Sequence, residues 1–113
     1  MDKTLRPQLP TIVDEVVEAL VSELAPEKVI LFGSAARGEL TGDSDLDFIV
    51  VVSELSKQRE EVTRAYRALR TVRGRPPVDV LVYSHQDLED WGDVIGHPIN
   101  DALTEGRLIY DAA

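Results

Sequence analysis

Between Leu31 and Asp47 the chain reads LFGSAARGELTGDSDLD, a Gly-Ser pair, one arginine and four carboxylates in seventeen residues. Asp45 and Asp47 are two residues apart and open an apolar run, Leu46 to Val52. Residues two apart in a strand share a face, so both carboxylates point the same way. Asp79 is the one charge in a later apolar run, VDVLVY from Val78 to Tyr83. If those two strands are neighbours, three carboxylates meet at one end of a sheet. Like charges that close raise one another's pKa, and a divalent cation removes the conflict. Oxygen ligands without His or Cys favour Mg²⁺ or Mn²⁺. Gly33 and Ser34 supply a phosphate side: free backbone N–H groups and a hydroxyl where a strand ends and a helical turn begins. Gly33 lets a phosphate approach the backbone closely, and Arg37, one turn on from Ser34, reaches a non-bridging oxygen. Carboxylates, metal and phosphate cradle together describe in-line displacement at phosphorus with two metal ions.

These groups need a scaffold. Thr11 to Leu24 has apolar residues at helical spacing and ends before Pro26. Lys28 to Phe32 (KVILF) is a short buried strand closed by Gly33, and Ser34 to Arg37 one helical turn. Leu46 to Val52 is apolar on both alternating faces past Asp47, which marks a central strand. Ser53 to Val72 is expected to be a second helix with Ser53 as its cap. Val78 to Tyr83 is a third strand, Ser84 to Trp91 a short helix, Pro98 to Glu105 a last helix stopped by Gly106, and Arg107 to Tyr110 an edge strand. This order predicts an α/β (α+β) fold, a small mixed β-sheet flanked by helices. The 113 residues are expected to form a single domain, residues 1–113.

Composition narrows the function. Apolar residues are 43% and charged residues 29% of the chain. There is no cysteine, which excludes disulfides and zinc-thiolate sites. No run approaches the ~18 apolar residues of a membrane span, and MDKTLRPQLP lacks the apolar centre of a signal peptide. The cytoplasm is therefore the expected compartment. A net charge of −9 argues against direct nucleic-acid binding. Yet seven of the twelve Lys and Arg lie from Lys57 to Arg75, and Arg64, Arg67, Arg70 and Arg73 make a basic helical stripe. That stripe is read either as a solvated face balanced by Glu60 and Glu61 or as a dock for an acidic partner. Trp91 is expected in the core, His85 and His97 in structural roles, Tyr110 packed in the last strand, and Ser44 bonded to its own turn.

The spacing of Gly33-Ser34, Asp45-x-Asp47 and Asp79 resembles the signature of the DNA polymerase β-like nucleotidyltransferase superfamily. The short length, GSAARGELTGDSDLD and the ending HPINDALTEGRLIYD resemble its minimal nucleotidyltransferase (MNT) branch. The resemblance spans about Lys28 to Tyr110 and implies the polymerase β-like fold. It implies that Asp45 and Asp47 hold two Mg²⁺ ions and that Asp79 ligates the catalytic one and helps deprotonate an acceptor hydroxyl. Gly33 and Ser34 would hold the β- and γ-phosphates of a nucleoside triphosphate, and Arg37 would stabilise phosphate charge. Larger members add a helical domain for the acceptor, so here another protein is expected to complete that site. The branch implies an antitoxin that transfers AMP from ATP to a tyrosine hydroxyl of a cognate HEPN-domain ribonuclease toxin. The toxin's own Arg-x(4–6)-His motif is absent here. The alternatives are a non-catalytic antitoxin acting by binding and occlusion, and a small-molecule nucleotidyltransferase with a dimer-built site.

Overall fold

A computed structural model of the chain describes residues 11–33, 36, 45–54 and 58–112. In chain order the elements are α1 (Thr11–Leu24), β1 (Lys28–Phe32), β2 (Leu46–Val52), α2 (Gln58–Leu69), β3 (Val78–Ser84), α3 (His85–Trp91), α4 (Pro98–Glu105) and β4 (Arg107–Asp111). The four strands form one mixed sheet in the order β3-β2-β1-β4. β1 is antiparallel to β2 and to β4, and β2 is parallel to β3.

Helices cover both faces, so β2 must be apolar on both. Phe48, Val50 and Val52 meet α1 on one face, with Val29 and Leu31 of β1 and Val80 and Val82 of β3. α1 contributes Val13, Val16, Val17, Leu20 and Leu24, and α2 contributes Ala65 and Leu69. The other face is smaller: Ile30, Ile49 and Val51 pack on Ile99 and Ala102 of α4, flanked by Tyr83 and Leu88. Asp47 is the only residue of β2 that is not buried.

Local chemistry explains the boundaries. Ala25 follows α1 at φ 46°, with its N–H donating to Val21 O at 2.9 Å. That left-handed turn and Pro26 end the helix. α3 starts with a capping box: Ser84 Oγ accepts from Asp87 N–H, and Asp87 accepts from Ser84 N–H. His97 caps α4, its Nδ1 accepting from Ile99 N–H at 3.1 Å, with Pro98 opening the helix. Gly106 ends α4 in extended conformation. A Cβ there would lie 2.9 Å from Leu31 O and from Ile30 Cγ2, so close packing against β1 selects glycine.

Three expectations change. The second helix is described only from Gln58, and Ser53 is not its cap: Ser53 Oγ donates to Glu27 Oε2 at 3.0 Å. Trp91 is 43% exposed and stacks on His97, with centroids 4.9 Å apart and planes 14° apart, so it is not a core residue. The basic stripe divides. Arg64 is tied to Glu23, Glu61 and the Glu23 carbonyl, whereas Arg67, Arg70 and Arg73 are exposed. Ser44 lies outside the described residues, and Tyr110 packs half-buried against the larger core, as expected.

Candidate active site

Strand register does the positioning. Asp47 is the partner of Phe32 across the antiparallel pair and of Asp79 across the parallel pair. Adjacent strands are about 4.8 Å apart, so Asp47 and Asp79 stand side by side on one face. Asp45 is exposed and directly precedes β2. The start of β2 is tied to the approach of β3 by the Leu46 N–H, which donates to Pro77 O at 2.9 Å. That bond holds the two carboxylate-bearing strand ends together.

α3 and α4 cover this face further along the strands, over Ile49, Val51 and Tyr83. The carboxylate end stays open: Asp79 is exposed and Leu81 is 36% exposed. The outer edge of β3 is closed by α2. Val80 N–H donates to Tyr66 Oη at 3.0 Å, and Gln58 Nε2 donates to Val82 O at 2.7 Å. These two bonds tie β3 to α2 next to Asp79 and occupy polar groups on the sheet edge.

Gly33 sits just beyond Phe32 with φ 77°, and a Cβ built on it would be 2.6 Å from Asp47 Oδ2. The carboxylate therefore lies against the Gly33 backbone. Two constraints select glycine here, the left-handed conformation and the carboxylate's approach. Ala36, buried in the larger core, donates its N–H to Gly33 O at 3.2 Å and closes a turn. Ala36 O accepts from Arg107 Nε at 2.8 Å. Sequence reasoning passed over Arg107, although it is the only Lys or Arg after Arg75. Ser34 and Arg37 lie outside the described residues.

The electrostatics are unbalanced. Partial burial, then the charge of Asp79, then that of Asp45, hold the Asp47 carboxyl above the usual carboxylate range. No cation among the described residues bonds to any of the three. Also among the described residues, no group of three or more His, Cys, Asp or Glu side chains could hold a metal ion by itself. Mg²⁺ is commonly held by one or two carboxylates together with substrate phosphates and waters. An oxygen-only, charge-crowded, solvent-open pair beside a glycine turn fits that kind of site.

The nucleotidyltransferase domain family matches residues 13–109, which takes in every described candidate residue. The chain belongs to the nucleotidyltransferase domain family. Its fold resembles the crystal structure of a candidate nucleotidyltransferase from Sulfolobus solfataricus, with TM-score 0.62 and 21% identity over 90% of this chain and 79% of that one. It also resembles a toxin–antitoxin crystal structure with AMP-PNP, with TM-score 0.53 and 18% identity over 87% of this chain and 73% of that one. No curated protein sequence matches significantly. The expected fold class, a small mixed sheet flanked by helices as in nucleotidyltransferases, holds in the structure.

Proposed function

We propose that this nucleotidyltransferase domain is the antitoxin half of a toxin–antitoxin pair and transfers AMP from ATP to a tyrosine hydroxyl of a HEPN ribonuclease toxin. The observation that carries the reading is the in-register pair Asp47 and Asp79 beside Gly33, at the open end of the sheet. The likeness to a toxin–antitoxin structure with AMP-PNP supports an ATP-type donor and a protein acceptor. On this reading the chain works in the cytoplasm as one domain, and the toxin completes the acceptor site.

Asp45, Asp47 and Asp79 would hold two Mg²⁺ ions. When bound, the ions neutralise triphosphate charge and acidify the acceptor hydroxyl. The chain's own groups do the rest. Gly33 and Ser34 would hold the β- and γ-phosphates, and Arg37 would stabilise phosphate charge. Asp79 accepts the proton of the attacking hydroxyl. The hydroxyl oxygen bonds to the α-phosphorus as the bond to the bridging oxygen breaks, and pyrophosphate leaves with that electron pair.

The test is intact-mass spectrometry of the toxin-side partner after co-expression with the parent chain or with Asp45→Asn or Asp47→Asn. The parent is expected to add one or more AMP masses. Either variant should lose several kcal/mol of transition-state stabilisation, on the order of 10²-fold or more in rate. Mg²⁺ with ATP should raise the Tm of the parent and not of Asp47→Asn. Equal partner masses with all chains, in an intact complex, would replace this reading with neutralisation by binding alone.

A further inference from the structure

We propose that the face formed by α3, α4 and the turn between them is where the nucleotide acceptor docks, and that the acceptor is a protein whose apolar contact surface is ringed by Lys and Arg; this rests on the transfer function proposed above. The centre of the face is apolar and uncovered. Trp91, Val94 and Leu103 are exposed, and Ile95 is 92% exposed. Their backbones and side chains are tied together. Val94 N–H donates to Trp91 O at 3.0 Å, and a Cβ on Gly92 would lie 3.2 Å from Leu103 Cδ1, so Leu103 rests against the turn. Clustered apolar side chains with a polar border mark interaction sites. The face is also held in place before any partner arrives. Asn100 Nδ2 donates to Gly92 O at 2.8 Å, His97 N–H donates to Val94 O at 3.1 Å, and His97 stacks on Trp91. A surface already fixed loses little entropy on docking.

Charge selects what covers it. From Pro76 to Gly106 the chain has seven carboxylates and no Lys or Arg. Asp90 and Asp93 flank Trp91, Asp101 lies on α4, and all three are exposed. The two histidines are engaged: His85 lies between Glu27 and Glu89, and His97 Nδ1 accepts from Ile99 N–H. A second copy presenting the same face would set carboxylates against carboxylates. A basic rim meets them with opposite charge, which speeds encounter and fixes orientation.

Position ties the face to the chemistry. Asp79, Leu81 and Tyr83 share one face of β3, the face on which Asp47 stands beside Asp79. At about 3.3 Å per residue, Tyr83 is roughly 13 Å from Asp79. Tyr83 meets His97, with ring centroids 5.6 Å apart, and His97 carries Trp91. Exposed Leu81 lies between the carboxylate end and this row of rings. A standard protein interface covers about 800 Å² on each partner, roughly 30 Å across. One protein seated on α3 and α4 is thus wide enough to reach the open carboxylate end and present a hydroxyl there.

Binding and transfer are measured separately, with the toxin-side partner as probe. Trp91 is the single tryptophan, so 5-fluorotryptophan labelling gives one ¹⁹F signal that reports coverage of the face. Adding partner should shift that signal, and the affinity should fall as salt rises. Ile95→Arg and Asp93→Lys alter exposed side chains and should keep the parent's Tm. Each should weaken partner binding about tenfold or more in calorimetry and raise KM for the partner, with Mg·ATP affinity unchanged. Arg70→Glu, on the exposed basic stripe, should bind as the parent does. Parent-like binding in Ile95→Arg and Asp93→Lys would overturn the docking face, and continued AMP transfer would leave the transfer reading standing. Loss of binding only in Arg70→Glu would move the partner to the basic stripe and overturn the face as well. Self-association in sedimentation velocity that Ile95→Arg abolishes would assign the face to a second copy instead. A parent that binds through this face without adding AMP mass to the partner would uphold the docking face and overturn transfer. A parent that does not bind the partner would overturn both.

Discussion

Asp47 occupies the one place in β2 that is not buried, and partial burial, then the charges of Asp79 and Asp45, raise its pKa above the ordinary carboxylate value. Gly33 is the residue that permits this arrangement. Any side chain at that position meets two obstacles at once, a φ of 77° and Asp47 Oδ2 at 2.6 Å. Gly33→Ala is expected to cost roughly 1–3 kcal/mol of stability, the usual scale for a strained backbone. It should reduce nucleotide transfer by a larger factor than stability alone explains, because Asp47 must move. Urea denaturation and nucleotide incorporation, measured on the same preparation, separate the two effects. Incorporation that falls only in proportion to the folded fraction would count against the contact. The sequence shows a glycine at a strand end, for which the approach of phosphate is the proposed reason. It does not show the second reason, because Asp47 reaches Gly33 only through the pairing of β1 with β2.

At the scale of elements, much of the specificity lies in side chains that tie one element to another. His85, the first residue of α3, has Nδ1 3.0 Å from Glu27 Oε1 and Nε2 3.3 Å from Glu89 Oε2. Glu27 precedes β1 and also accepts from Ser53 after β2. The bond to Glu27, then its charge, raise the His85 pKa above its ordinary 6.5. The bonds from His85 and Ser53 lower that of Glu27 below 4.5. The signs are opposite. The histidine's contribution to stability is fully present below pH 6.5 and is lost as pH rises through its raised folded value. The glutamate's contribution is present above pH 4.5 and is lost as pH falls through its lowered folded value. The pair is expected to help most between those limits. The Tm difference between parent and His85→Gln should shrink from pH 6 to pH 8.5, by a small amount because the site is exposed. A difference that stays constant across that range would remove the pair from the stability of the fold. Ser53 read as a helix cap because a hydroxyl stood before a helical pattern. Its hydroxyl goes to Glu27 instead, a partner 26 residues back that only the sheet brings near.

At the scale of the molecule, one strand carries both cores. Phe48 is fully buried on the face toward α1, while Ile49 is buried toward α4. Phe48→Ala is expected to cost about 3–5 kcal/mol, a large share of the roughly 5–15 kcal/mol that holds a domain of this kind folded. Thermal denaturation should show a much lower Tm than the parent. Loss of less than about 1 kcal/mol would mean that the sheet face can collapse around the missing ring. The smaller core leaves apolar surface open beyond it. Trp91, Val94 and Leu103 are 43%, 41% and 49% exposed, and Ile95 is 92% exposed. Trp91 had the composition of a core residue, but α3 is too short to carry it inward, and it rests on His97 at the surface.

Strand and helix order and the central place of β2 follow from the sequence by itself, as does the nomination of Asp45, Asp47 and Asp79 as candidates. They depend on local signals: apolar period, breakers at Gly33, Pro26 and Gly106, and lone charges in apolar runs. What only the tertiary structure decided is which of those signals meet. The parallel register that sets Asp47 beside Asp79 and the bulge that turns Arg107 toward Ala36 depend on pairings between distant segments. A shift of one residue in any of those pairings would move the side chain to the other face, and no local pattern records the choice.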